Sequence, residues 1–375
     1  MGWEDRYYEA LAGVISIKNE GMTEALSSEA DQKLKIIGGQ KISREEYGSI
    51  IRPYWAKYGR EPDAKWFELY GSRDGITDPR FIPDTMYYLE LMPYLNNLQL
   101  WDAYHDKCQF DRFLPEVKQP ETVCKRMAGV YYDSRMRQIT RSEAIGLCRE
   151  QSGDVVIKPS LYSSRGHGVE VVGNDRKTDE IIGRIFDETG MNFIAQKKVI
   201  QHPTFAKLCP DVVNTTRIMS VFIDGKVYIT ESAIRFGEKN MDHVSLEQGG
   251  YICEAGDGVL NSKGLSGKQG WVDLNEKGIT EPGFALAGFD KIYDEVRQIH
   301  PLLPHFRVIG WDFIIDEDCE PVMIEYNIVP GITPQLCCCK PIFGEMTDWI
   351  LDDFFFHRTL EKTQQQGRLV QIGSN

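Results

Sequence analysis

The chain has 375 residues, 42% hydrophobic and 26% charged, which is enough for two or three domains with large cores. Its formal net charge of −13 and pI near 5.1 argue against nucleic acid or an anionic membrane as the main partner. The sequence shows no secretory signal, no apolar run of the roughly 20 residues that span a bilayer and no disulfide pattern among its nine cysteines. We therefore expect a cytoplasmic protein without a transmembrane segment.

The sequence pattern of residues 1–104 predicts a partly helical cap region. Ser43 and Glu46 have the spacing of a capping box, and apolar residues follow at helical intervals in "EYGSIIRPYWAKYG". No strand in this region leads into a GxGxxG sequence, which argues against a dinucleotide-binding domain.

From about residue 120 onward, short β-rich runs alternate with helical segments. The β-rich runs include "MAGVYYD", "DVVIKPS", "GVEVVG" and "MNFIAQKKVI". The helical segments include "RSEAIGLCREQ", "TDEIIGRIFDETG", which closes at Gly190, and "FDKIYDEVRQIH". Asp224 and Gly225 have the composition of a tight hairpin turn. The pattern predicts an α+β fold with antiparallel sheets.

A candidate phosphate-binding segment lies in "VVIKPSLYSSRGHGVEVV", residues 155–172. A strand ends at Lys158, and a loop of small residues follows, with Ser163, Ser164, Gly166 and Gly168. Small residues let backbone amides approach a polyphosphate, and the lysine can neutralise one phosphate. The lysine precedes the glycines, so this is not the GxxxxGK[ST] loop. An ordinary hairpin loop with an exposed lysine has a similar sequence.

A candidate metal site lies in "GWDFIIDEDCEPVMIEYNIVPG", residues 310–331. Strand alternation places Glu325 and Asn327 on one face, and a turn at 317–320 would set Asp312 opposite Glu325. Two carboxylates held so close repel unless a cation lies between them, and oxygen ligands suit Mg²⁺. The alternative is a polar side that simply faces solvent.

These motifs, in this order over residues 106–335, resemble the ATP-grasp superfamily. The runs "NTTRIMSVF", "AIRFG" and "DHVSLEQGGYICEAGDGVL" resemble its subgroup associated with sugar transfer and exopolysaccharide gene clusters. The resemblance implies an ATP-grasp fold, in which two α+β subdomains grip ATP between antiparallel sheets. Subdomain 1 would be residues 105–198, and subdomain 2 would be residues 199–375.

The resemblance also implies roles for individual residues. Lys107, in "DKCQFDRFL", looks like the first nucleotide lysine and Lys158 like the second. "IAQKKVI" looks like the linker whose backbone binds adenine, although lysines stand where many members carry a carboxylate for the ribose. The implied ATP-binding set is Lys107, Lys158, Ser163, Ser164, Gly166, Gly168, Gln196, Lys197, Lys198 and Val199. The implied metal ligands are Asp312, Glu325 and Asn327, for which we expect two Mg²⁺ ions.

Two arginines, Arg217 and Arg235, lie in apolar β-rich runs. An arginine in a strand is usually an edge or snorkelling residue. The resemblance implies instead that both are catalytic and bind the γ-phosphate or an acyl phosphate through their planar guanidinium groups.

The function implied by the resemblance is an ATP- and Mg²⁺-dependent ligase that acts through an acyl-phosphate intermediate. Its substrates would be a small acid and an amine, with an amino sugar or a cell-surface polysaccharide precursor as acceptor. Two alternatives stay open: a kinase on the same fold that phosphorylates a hydroxyl, and a non-catalytic nucleotide-binding regulator. The sequence does not predict the oligomeric state.

Overall fold

A computed structural model describes residues 3–161, 168–238, 241, 246 and 248–357, with side chains from residue 20 onward. The chain divides into two compact units, residues 1–96 with 331–375, and residues 97–330. The boundaries at 104 and 198 stay a prediction. No helix in the described part of the chain is both long enough and apolar enough to cross a bilayer.

The α-helices differ widely in length, and several continue into π-helical turns at Tyr47–Ile51, Tyr87–Leu91 and Asp353–His357. They are α1 (Trp3–Ile37), α2 (Arg44–Glu46), α3 (Arg52–Ala56), α4 (Ala64–Tyr70), α5 (Asp84–Met86), α6 (Met92–Leu95), α7 (Trp101–His105), α8 (Phe110–Phe113), α9 (Arg141–Glu150), α10 (Asp179–Thr189), α11 (Pro203–Ala206), α12 (Phe289–Ile299), α13 (Thr333–Cys338) and α14 (Thr347–Asp352).

The strands are β1 (Thr122–Met127), β2 (Val130–Asp133), β3 (Gln138–Ile139), β4 (Val155–Pro159), β5 (Glu170–Val172), β6 (Phe193–Lys197), β7 (Thr215–Ile223), β8 (Lys226–Phe236), β9 (Tyr251–Gly256), β10 (Val259–Ser266), β11 (Gly270–Asp273), β12 (Val308–Ile315) and β13 (Pro321–Asn327). Within the described residues they form two antiparallel sheets. The first sheet has the order β3-β2-β1-β6-β4-β5, and the second has the order β11-β10-β9-β8-β7-β12-β13.

The described residues of the unit formed by 1–96 and 331–375 are mainly helical. The predicted capping box of Ser43 and Glu46 is present at the start of α2. Gln335 of α13 joins the two chain segments, because its side-chain amide accepts from the Ile82 and Ile342 amides at 3.0 Å each and donates to the Ile82 carbonyl at 2.9 Å. The C-terminal helices are thereby tied to the N-terminal part of the chain.

The first sheet of the other unit has one face covered by helices. Val155, Ile157 and Phe193 on that face pack in a core with Ile145 of α9 and Ile182 of α10. Because successive side chains of a strand point to opposite faces, the face away from these helices carries the alternate residues of β4 and β6.

The second sheet is covered in the same way by α12. Ile218, Trp311 and Phe313 belong to the core that contains Ile292 and Val296 of α12. The opposite face of this sheet is therefore the one left for polar side chains.

Two hairpin turns, at 224–225 and at 128–129, have residues with positive φ angles. At Asp224 and Gly225, between β7 and β8, the φ angles are +50° and +75°, which confirms the predicted turn. The β-rich run "MAGVYYD" contains a second hairpin turn, which the sequence analysis did not predict. Ala128 and Gly129 adopt φ angles of +49° and +86° and form the turn between β1 and β2.

His300, which follows α12, lies fully buried beneath the second sheet. Its Nε2 lies 3.0 Å from the Phe306 carbonyl and its Nδ1 lies 2.8 Å from Ser220 Oγ, which also accepts from Trp311 Nε1 at 2.7 Å. The carbonyl requires a proton on Nε2, so Nδ1 accepts from the serine hydroxyl and the imidazole is neutral. Burial lowers the pKa of His300 from 6.5 to about 4.

Folding stability should therefore fall as the pH drops from 6.5 to 4, because the unfolded chain takes up a proton at His300 that the folded protein does not. Over that range, the protein should lose roughly 3 kcal/mol more free energy of unfolding than a His300→Gln variant. Urea unfolding of both proteins at several pH values measures this difference, and parallel curves would contradict it.

Candidate active site

The acidic hairpin is formed by β12 and β13. Asp312 pairs directly with Glu325, which confirms the predicted register. The connecting loop has five residues, 316–320, rather than the four that were predicted. A bulge at Ile324 of β13 adds one further residue and restores the pairing at the site.

Asn327 completes this polar cluster. Its Nδ2 lies 3.4 Å from Asp312 Oδ2 and 3.4 Å from Glu325 Oε1. It pairs with Gly310, where a Cβ would lie only 2.6 Å from Pro330 and 3.3 Å from the Arg217 side chain. The cluster therefore depends on a residue without a side chain at position 310.

Arg217 of β7 pairs with Asp312 on the same face of the sheet. Its Nε and Nη2 donate to the two carboxylate oxygens at 2.6 and 2.8 Å, and both side chains are about 95% buried. This fork-like contact fixes the orientation of Asp312. Arg235 of β8 lies on the same face, paired with Thr215, and is half-buried.

Two lysines face the hairpin from the first-sheet side. Lys107 Nζ lies 3.5 Å from Glu325 Oε2, and Lys158 at the end of β4 is buried. Burial alone would raise the pKa of Glu325, but the charges of Lys107 and Lys158 outweigh it and hold that pKa well below its usual range. Burial lowers the pKa of Lys158 from 10.5 to about 8, although Glu325 opposes this shift.

The predicted phosphate loop is described at its ends only. Ser163, Ser164 and Gly166 lie outside the described residues. Gly168 has a φ of +73°, and a Cβ there would lie 2.9 Å from Pro159. Position 168 therefore has a backbone conformation that favours glycine, and the approach of this loop to a polyphosphate stays a prediction.

The predicted adenine linker leaves the first sheet at β6. The amides of Lys197 and Lys198 donate to the carbonyls of Glu121 and Asp154 at 2.8 and 2.9 Å. The Val199 amide donates no hydrogen bond to a backbone carbonyl in the described part of the chain. Gln196 is buried and donates through Nε2 to the Pro120 carbonyl at 3.2 Å.

Sequence reasoning missed Lys125, a fully buried lysine of β1. Its ammonium donates to the Cys108 carbonyl at 2.8 Å and to Asp111. The sequence holds only a weak signal for it, a cation in the middle of a strand in "TVCKRM".

The donor set of the hairpin fits a hard cation. Asp312, Glu325 and the Asn327 side chain offer oxygens, because an amide can turn its oxygen instead of its nitrogen toward the carboxylates. The 3.4 Å separations are close to the roughly 3 Å between neighbouring ligands of Mg²⁺. Within the described residues, no group of three or more His, Cys, Asp or Glu is arranged for a metal, so the third ligand here would be an amide.

The sequence profile of the family described as sugar-transfer associated ATP-grasp matches residues 89–348. The chain belongs to this family. The match covers more than half of the chain and includes both lysines, both arginines and the acidic hairpin. Together with the two antiparallel sheets, it confirms the predicted ATP-grasp fold.

Several solved structures are similar at low identity. A D-Ala:D-Ser ligase from Enterococcus faecalis matches at 12% identity and a TM-score of 0.42, over 70% of this chain and 63% of the other. D-alanyl-alanine synthetase A from Vibrio cholerae matches at 13% and 0.40, over 68% and 65%. Biotin carboxylase from Campylobacter jejuni matches at 11% and 0.43, over 68% and 46%.

The matched region spans less than two thirds of each of these three solved proteins. A comparison with curated proteins found no match.

Removing Arg217 should destabilise the protein, because Asp312 would keep a buried charge without its bidentate partner. Arg217→Met is expected to lower the free energy of unfolding by about 3 to 5 kcal/mol. The double variant Arg217→Met/Asp312→Leu should recover most of that loss, since both charges are then absent. Urea unfolding measures both. Equal losses in the single and double variants would contradict a paired role for Arg217.

Proposed function

We propose that the protein is an ATP- and Mg²⁺-dependent ligase that joins a carboxylate to an amine through an acyl phosphate. One observation carries the proposal. Lys107 and Lys158, from the first-sheet side, converge on Asp312 and Glu325 of the second sheet. Cations and carboxylates that face each other suit the binding of a polyphosphate together with a divalent cation, because the cations bind phosphate oxygens and the carboxylates bind the metal.

Lys107 and Lys158 would bind the phosphates. Lys107 lies against Glu325 at 3.5 Å, so it can exchange a carboxylate for a phosphate oxygen and still have an anionic partner. Lys158 is buried, which makes its contact with a phosphate stronger than the same contact in water.

Asp312, Glu325 and Asn327 would hold the metal. When bound, Mg²⁺ would supply positive charge that stabilises the transferred phosphoryl group. Arg217 keeps Asp312 in one orientation for this task, and Arg235, on the same face, would contact the phosphoryl group.

The linker would hold the adenine. The amides of Lys197 and Lys198 are already used within the protein, so Val199 is the residue whose amide would meet the base. The side chain of Gln196, on the same β6–linker segment, would line this pocket.

In the reaction, a carboxylate oxygen of the substrate attacks the γ-phosphorus, and the bond from that phosphorus to the bridging oxygen of ADP breaks. The amine then attacks the acyl carbon, phosphate leaves, and the amine loses a proton. No covalent protein nucleophile is required, so positioning and charge stabilisation are the protein's contribution. The family description names an association with sugar transfer, and we propose an amino sugar or a cell-surface polysaccharide precursor as acceptor, with a small acid as donor.

The phosphate role of Lys158 predicts a pH-dependent affinity. The protonated ammonium binds phosphate, so the dissociation constant for ATP should rise as the pH increases through about 8. Lys158→Met should weaken ATP binding by about 1.5 to 3 kcal/mol at pH 7 and remove this pH dependence. Lys158→Arg should bind ATP with an affinity that stays flat up to pH 9, because arginine stays charged.

Adenosine serves as the control ligand, since it has no phosphates and should bind all three proteins alike. An equal loss of ATP and adenosine affinity would mean that Lys158 supports the fold and not the phosphates.

The metal role predicts loss of turnover without loss of folding. Glu325→Gln keeps the shape of the side chain but removes one ligand charge, so Mg²⁺-dependent phosphate release should fall at least roughly 100-fold. A screen of small acids against amino sugars, with ATP and Mg²⁺, provides the assay. Hydroxylamine should trap the acyl phosphate, whereas a kinase would give a phosphorylated hydroxyl and no hydroxamate.

The metal-free melting temperature of Glu325→Gln should be somewhat lower, because Lys107 and Lys158 lose the carboxylate whose pKa they hold down, but the variant should still fold. Normal turnover in this variant would show that the metal assignment is wrong.

A further inference from the structure

The buried Lys125 lies on the same face of the first sheet as Lys158. Lys125 of β1 pairs with Ile194 of β6, and Ile194 pairs on its other side with Lys158 of β4. Residues directly opposite each other in neighbouring strands share a face, so the two lysines flank Ile194 at a backbone separation of about 10 Å. Lys125 is 0% exposed, so its ammonium cannot itself reach a ligand in solution.

In the described structure, the side-chain hydrogen bonds of Lys125 are made to the segment that carries Lys107. Its Nζ donates to the Cys108 carbonyl at 2.8 Å and to Asp111 Oδ2 at 2.5 Å. The neighbouring Asp106 side chain accepts from the Cys108 amide at 3.0 Å. Both peptide groups of Cys108, the residue next to Lys107, are thereby held.

The same segment is fixed to the end of β4. The amide of Lys107 donates to the Ser160 carbonyl at 3.1 Å, two residues after Lys158. Residues Lys107–Gln109 form a single 3₁₀ turn, which is too short to be stable alone. Its geometry must therefore come from contacts such as those of Asp106, Ser160 and Lys125.

A buried ammonium is costly unless it is paired and hydrogen-bonded, and an apolar side chain would fill this position at lower cost. The Asp111 carboxylate that pairs with Lys125 is 41% exposed, so it does not need a buried partner for its own solvation. What Lys125 adds is a directed bond to the Cys108 carbonyl.

We propose that Lys125 is a positioning residue that holds the 107–109 turn so that the Lys107 ammonium points at the nucleotide phosphates. The proposal rests on the proposed function, in which Lys107 binds phosphate. Lys125 acts only through Cys108 and does not touch the nucleotide.

The test is a double-mutant cycle on nucleotide affinity in the full chain. Dissociation constants for a non-hydrolysable ATP analogue with Mg²⁺, and for adenosine, are measured for the parent, Lys125→Met, Lys107→Ala and the double variant. Lys125→Met should raise the constant for the ATP analogue about tenfold and leave adenosine unchanged. The double variant should match Lys107→Ala alone within about threefold, because Lys125 has nothing left to position.

Lys177→Met is the matched control. Lys177 is also buried in the first-sheet region and donates to two backbone carbonyls, those of Gln151 and Gly153, but it contacts no residue of the 105–111 segment in the described structure. Its replacement removes a buried ammonium that is bonded to backbone carbonyls, as Lys125→Met also does, but the ratio of ATP-analogue to adenosine affinity should stay at the parent value.

The outcomes separate the two proposals. If Lys107→Ala leaves the affinity for the ATP analogue unchanged, the proposed phosphate site is wrong. If Lys107→Ala weakens binding but Lys125→Met does not, or if the double variant binds about tenfold more weakly than Lys107→Ala alone, only the role of Lys125 is overturned. Should Lys125→Met not fold, Lys125→Gln, which keeps a donor, replaces it; if neither folds, Lys125 is required for the fold and the assignment is overturned.

Discussion

The pairing of Asp312 with Glu325 is the constraint on which the rest of the site depends. Two carboxylates on neighbouring strands repel each other, and the protein surrounds them with cations. Arg217 comes from the adjacent strand, Lys107 from a turn before the first sheet, and Lys158 from the end of β4. Each cation therefore belongs to a different element, and the second sheet and the first-sheet side meet around a cluster of three cations and two carboxylates.

The three cations of this cluster differ in how firmly they are paired. Arg217 makes a buried, bidentate pair, so its charge is committed to Asp312. Lys107 lies at the longer distance of 3.5 Å from Glu325, and burial leaves Lys158 with a lowered pKa. The charge of Arg217 is thus already neutralised within the protein. A bound anion would give Lys107 and Lys158 more additional electrostatic stabilisation than it would give Arg217.

The sequence predicted features that depend on neighbours in the chain. Strand alternation placed Glu325 and Asn327 on one face, and the Asp224–Gly225 turn followed from side chains that tolerate a positive φ. It did not predict the turn at Ala128, because alanine rarely adopts that backbone conformation. The sequence also did not predict the partners of Arg217 and Lys125. The alternation of side chains along a strand gives the face of each residue, but it does not show which distant strand lies beside it.

The bulge at Ile324 has a consequence for how the hairpin can change over evolutionary time. In a regular hairpin, one inserted or deleted residue turns every following side chain to the wrong face. Here an odd-length loop is already offset by an extra residue inside β13, between the loop and Glu325. A bulge in β13 can thus compensate for a one-residue change in loop length before it reaches the face that carries Asp312 and Glu325, so the two carboxylates remain opposite each other.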